Sequence, residues 1–171
     1  MVDETRECMH RMGVVNAAIM QYTYRHDMHL PPDLGATLPY LSRLATAPDE
    51  QPKPFTPQEQ ALQYLCPAEA ANIELPPIIT PEWVNQHASY VYLGDADVVL
   101  SGNLSGTDRI VVLHHKLTAG HTGRRGAMFL LSFLDGHGEG LDRNAAEQLI
   151  AQSRKALEAA RGAPPEAGRG K

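Results

Sequence analysis

The sequence predicts an α+β fold: a long N-terminal helix packed on a small antiparallel sheet, followed by a C-terminal helix. Three observations predict it. Apolar residues recur at helical spacing near the start, the period drops to two from residue 88, and helical spacing returns after residue 142. The chain has 171 residues, 43% of them hydrophobic, which suits one domain with its own core. We assign residues 1–161 to that single domain and 162–171, "GAPPEAGRGK", to a disordered tail.

Residues 3–28 read as one amphipathic helix, because Cys8, Met12, Val15, Ile19 and Tyr22 recur at steps of four, three, four and three. "LPPDLG" (30–35) ends it, since consecutive prolines cannot donate and force an extended path. A short helical piece over 34–44 follows. Residues 30–87 are then expected to be irregular, with prolines at 48, 52, 54, 57, 67, 76, 77 and 81 excluding long helices and central strands. Within that region "PQEQALQYLCP" (57–67) allows one short helix opening at Pro57.

An antiparallel sheet is expected over 88–141. "SYVYL" (89–93), "DVVL" (97–100), "RIVVLHH" (109–115) and "MFLLSFL" (128–134) are its strands. Asp135-Gly136 predicts a type I′ hairpin returning through His137–Leu141, and "GHTGRRG" (120–126) a flexible connection able to hold an anion. A helix over 143–161 closes the domain, with Asp142 or Asn144 as its N-cap.

A formal net charge of −5 leaves no basic face for nucleic acid. No apolar run approaches the ~20 residues of a membrane span, and residues 1–20 lack the charged, apolar and small-residue order of a secretory signal. Cys8 and Cys66, 58 positions apart, are the only cysteines and make no zinc-finger or C-x-x-C pattern. A disulfide closing that loop would contribute roughly 4 kcal/mol; two separate buried thiols fit the spacing equally.

Four histidines fall late, His114, His115, His121 and His137, with Asp135 and Glu139 nearby. Imidazoles and carboxylates of this kind bind zinc in hydrolytic sites, so a small metal-dependent hydrolase using His114 or His121, Asp135 and His137 is one alternative. His114 and His115 must point to opposite faces of a strand, however, and H-E-x-x-H is absent. His137-x-Glu139 lacks the downstream P-C-x-x-C of a deaminase, and Ser132 lacks the G-x-S-x-G elbow. The residues therefore assign no catalytic, cofactor or metal site. A second alternative is an extracytoplasmic binding module using loops 101–108 and 116–126.

Four boxes in order suggest a family. "CMHRMGVVNAAIMQYTYRHDMHLPP" (8–32), "YLCPA" (64–68), "SYVYLG" (89–94) and "FLDGHGEGLD" (133–142) make the chain similar to type IV pilin-like proteins. It most resembles the pseudopilin-like family whose C-terminal signature sets a His nine residues before Asp-Gly-His. Here thirteen residues separate His121 from Asp135, and Arg11-Met12 replaces the family's Asn-Leu. The prepilin peptide and the hydrophobic half of the first helix are expected to be missing.

The resemblance implies a non-enzymatic, extracytoplasmic structural protein, membrane-tethered in its full-length form and related to the major pseudopilins of type II secretion. Its partners would be other pilin-like subunits or secretion proteins. It also implies a structural disulfide, Cys8–Cys66. His121, Asp135, His137 and Glu139 become a possible partner-contact loop. No cofactor is expected beyond calcium, for which the acidic loops 94–97 and 135–142 are the places to look.

Overall fold

The structure, a computed structural model, describes residues 4–43, 53–100, 106–116, 121–123 and 126–162. Helix α1 spans Glu4–Arg25, and the heptad-like stripe of Cys8, Met12, Val15 and Ile19 is its buried face. It stops because Asp27 and Met28 take positive φ, with the Met28 N–H returning to the Thr23 carbonyl at 3.0 Å. The chain then runs through Leu30, buried in the core, into a 3₁₀ turn at Gly35–Tyr40 that accommodates Pro39.

The proline-rich region is more helical than expected. Among its described residues are three short helices: α2 (Pro57–Gln63), α3 (Pro67–Ala70) and α4 (Pro81–His87). Each opens on a proline, whose missing N–H costs nothing at the first helical position. Thr56 and Thr80 cap α2 and α4, and Thr56 with Glu59 forms a full capping box. The prolines that forbid long helices thus start short ones.

Five strands form the sheet: β1 (Tyr90–Tyr92), β2 (Val111–His115), β3 (His121–Gly123), β4 (Gly126–Phe133) and β5 (Gly138–Leu141). β4, the longest, pairs antiparallel with β2, β3 and β5, and β1 pairs with β2. The expected strand at 97–100 makes only isolated bridges, Val98 to Arg161 and Val99 to His29. Helix α5 (Arg143–Ala159) closes the domain, capped by Asp142, whose carboxylate accepts the Ala145 N–H at 3.0 Å.

Alternation along β4 separates two apolar clusters. Phe129, Leu131 and Phe133 pack with Ala146 and Ile150 of α5, while Leu130 joins Cys8, Met12, Val15 and Ile19 of α1. The sheet therefore lies between α1 and α5. α1 is further fastened by Asn16, whose amide donates to Ser132 Oγ (2.6 Å) and the Phe133 carbonyl (2.7 Å).

Two local expectations are corrected. The turn after β4 is a three-residue hairpin, with the Phe133 N–H on the His137 carbonyl and only Gly136, at φ 94°, left-handed. A type I′ turn would need Asp135 at positive φ as well, so this is the turn-plus-bulge form instead. The segment expected as a flexible connection contains β3, paired with β4 from His121 to Gly123. Residues 101–105, 117–120 and 124–125 of the expected binding and anion loops, and the tail from 163, lie outside the described residues.

Candidate metal centre

Helix α1 carries Cys8 on its buried face one turn above Met12, where the stripe meets the α2–α3 corner. That corner is held down by Arg11, which donates to the carbonyls of Leu62 and Leu65 at 3.1 Å while pairing with Glu7 at 2.9 Å. Cys66 follows at the N-cap of α3, with its N–H on Ser89 Oγ at 2.8 Å. Ser89 in turn donates to the Glu69 carboxylate and leads directly into β1. His115 ends β2 and His121 begins β3.

These four residues converge. The two sulfurs and one nitrogen from each imidazole all lie within 4.8 Å of one another, and Cys8, Cys66, His115 and His121 are respectively 0, 1, 2 and 7% exposed. His121 Nε2 stands 3.5 Å from Cys66 Sγ. Tetrahedral zinc, with bonds of about 2.3 Å to sulfur and 2.0–2.1 Å to nitrogen, sets ligand–ligand edges of about 3.3–3.8 Å. The 3.5 Å separation of Cys66 Sγ and His121 Nε2 falls within that range.

The imidazoles are oriented for the task. His115 Nδ1 lies 3.0 Å from the Lys116 carbonyl, which fixes the proton there, and the buried Nε2 is left without a hydrogen bond. An Nδ1–H held by a backbone carbonyl, with Nε2 bearing the free lone pair, is how ligating histidines are usually set. Around the sulfurs, Tyr90 Oη lies 3.8 Å from Cys8 Sγ and 3.3 Å from the Leu65 carbonyl.

Metal-free, the two sulfurs are unlike. A hydrogen bond from Cys8 pulls the Cys66 thiol down to about 2, against the opposing effect of burial, with help from His115, His121 and the Ala68 backbone. Cys8 is pushed up by that same bond, by burial and by the charge on Cys66. Burial lowers the basicity of His115, yet the neighbouring Cys66 sulfur outweighs it and raises its pKa. Cys66 is thus the thiolate of the pair, beside imidazoles that stabilise it.

Cys8 and Cys66, expected as a disulfide, are both free cysteines in the structure, with their sulfurs within 4.8 Å of each other. The expectation that no residues are arranged for a metal is revised: a buried Cys8, Cys66, His115 and His121 group able to bind one is present. His121 belongs to this cluster and not to an exposed loop. Asp135, His137 and Glu139 do stand together at the surface, with His137 Nδ1 2.5 Å from Asp135 and Nε2 3.4 Å from Glu139. His137 also stacks on Phe133, ring centroids 4.2 Å apart.

The residues of the hydrolase alternative are not gathered. His114 lies on the other face of β2 from His115, its Nδ1 on the His115 carbonyl at 2.8 Å, with burial lowering its pKa. Among the described residues the acidic loops do not bring three ligands together either. Asp95 is instead paired with Arg161. No helix of the described residues is long and apolar enough to cross a membrane. Compared with protein-family models, curated proteins and solved structures, the chain matches none.

Proposed function

We propose that this chain is a non-enzymatic, pilin-like structural domain whose N-terminal helix is locked to its sheet by one zinc ion on Cys8, Cys66, His115 and His121. The observation that carries the metal reading is the convergence of four buried ligand atoms within 4.8 Å, drawn from α1, the α2–α3 corner, β2 and β3. Two thiolates and two neutral imidazoles suit zinc by ligand softness and geometry. They also offset its double charge, so the buried complex carries no net charge, and the penalty for burying an ion is largely avoided.

Four protein ligands close the coordination sphere. Catalytic zinc keeps a position open for water or substrate, whereas structural zinc does not. This favours a structural role over the hydrolase alternative. The helix laid on an antiparallel sheet supports the pilin-like reading, and with it a place outside the cytoplasm and assembly with other pilin-like subunits.

Elemental analysis of chain purified without metal-affinity resin tests the site. One zinc per chain is expected, falling below a tenth in Cys66→Ser and His121→Ala. Cobalt substituted for zinc should show the thiolate charge-transfer bands of a tetrahedral site. Zinc-free protein that also fails to take up cobalt under reducing conditions would sink the metal reading. Cross-linking in the native envelope, with recovery of pilin-like subunits, tests the assembly reading separately.

A further inference from the structure

We infer that Cys8 and Cys66 form a redox-modification site at which zinc and an intramolecular disulfide exclude each other, with a hydroperoxide as the oxidant that exchanges them. The inference rests on the zinc reading above. Its first support is that the chain has two cysteines, so either sulfur has one partner within the molecule. Its second is proximity. The sulfurs already lie within 4.8 Å of each other, where a disulfide needs about 2.05 Å, and Cys66 sits at the N-cap of α3 rather than inside a helix.

The third support is how the ligands are divided. Both sulfurs come from the helical side, α1 and the α2–α3 corner, and both imidazoles from the sheet, β2 and β3. Oxidation would therefore keep α1 tied to the corner and release the tie to β3. A four-point clasp becomes a two-point link. His115 keeps its Lys116 hydrogen bond, whereas His121 loses its polar contact with Cys66 and keeps an edge-on ring contact with His115.

The chemistry balances. One thiolate attacks a peroxide oxygen, the O–O bond breaks, and a sulfenic acid and a hydroxide result. The second thiolate attacks that sulfur, the S–S bond forms, and a second hydroxide leaves. Two protons convert the hydroxides to water, the sulfurs give up two electrons to the peroxide, and Zn²⁺ departs from two imidazoles that cannot hold it alone. Both sulfurs are buried, so opening of the site sets the rate, and the end state is the proper readout.

Zinc-loaded full chain is treated with hydrogen peroxide while released zinc is followed with a chromophoric chelator and intact mass is recorded. One zinc should leave per disulfide formed, with a loss of about 2 Da and no dimer. Amide exchange at His121 should rise about tenfold or more, while that at Cys8 stays within about twofold. Dithiothreitol and zinc should restore the starting state. His121→Ala should still form the disulfide, and Cys8→Ser should not. Zinc retained alongside a disulfide, or zinc lost with sulfinic acids or dimers, would overturn the inference and leave the zinc reading intact. Failure to load zinc at the outset would overturn both.

Discussion

At the scale of single residues, polar groups are used in two ways. Asn16 is buried and bonds across to Ser132 and Phe133, so it fixes where α1 lies on β4. Replacing it with Ala takes the donor from the buried Ser132 hydroxyl and leaves the Phe133 carbonyl only the Gly136 N–H, a loss of about 1–3 kcal/mol that urea unfolding should record. Asp135 and His137 pair at the surface instead. Their hydrogen bond raises the His137 pKa; at Asp135 burial pushes upward, and the hydrogen bonds and charge of His137 together outweigh it and lower the pKa. The signs follow. The His137 contribution is complete below its unfolded pKa near 6.5 and fades as pH rises through its raised folded value. The Asp135 contribution is complete above about 3.9 and fades as pH falls through its lowered value. The pair thus acts most between about pH 4 and 6.5, and at about a third exposure contributes no more than about 1 kcal/mol. An NMR titration should show His137 above the ordinary histidine range, returning toward it in Asp135→Asn.

At the scale of elements, the corner that presents Cys66 depends on α1. Arg11 satisfies two carbonyls at the end of α2 from a largely buried position. Arg11→Met removes both bonds while keeping most of the stem, so zinc affinity should drop about 10- to 100-fold by competitive chelator titration. Gly35 marks another close approach. A Cβ there would stand 2.5 Å from the Pro81 carbonyl oxygen, and backbone cannot yield as a side chain can. Gly35→Ala should therefore lower stability by about 1–3 kcal/mol in a thermal melt. The elements were unevenly legible. The α1 stripe could be read because helical period survives from Cys8 to Tyr22, about four turns, and it placed Cys8 on the core face. His115 could not be assigned to that face. Counting alternately from Val111, which packs toward α5, puts His115 toward α5 as well, but the register shifts between Val111 and Leu113. Val112 and Leu113 consequently both join the α1-side cluster, and His115 follows them to the cysteines. A bulge of one residue leaves no mark in so uniformly apolar a strand. Of the short helices in the proline-rich region, α3 and α4 were hidden for another reason: four and seven residues are too few to show a helical period, and each opens on a proline that reads equally well as part of a loop.

At the scale of the whole molecule, the question is how much of the fold a metal would hold. Cys8 and Cys66 belong to the α1-side cluster, but both clusters consist mainly of apolar side chains that bind no metal, and Asn16, Arg11 and the capped helices add ties of their own. The domain should therefore stay folded when stripped of zinc, unlike small zinc modules that unfold without it. Zinc would add stability by mass action, about 4 kcal/mol at free metal a thousandfold above Kd. For a chain of this length that corresponds to a rise in Tm of about 8–16 °C. The gain must fall with acidity, because zinc requires Cys8 to give up a proton that its surroundings hold firmly, and requires a neutral His115 whose pKa is raised. Calorimetry with and without chelator should thus give a wide Tm gap at pH 8 that narrows toward pH 5. Complete unfolding on chelation at pH 8 would show that the apolar clusters do not suffice without the metal. An unchanged gap at pH 5 would show that neither Cys8 nor His115 exchanges a proton for it.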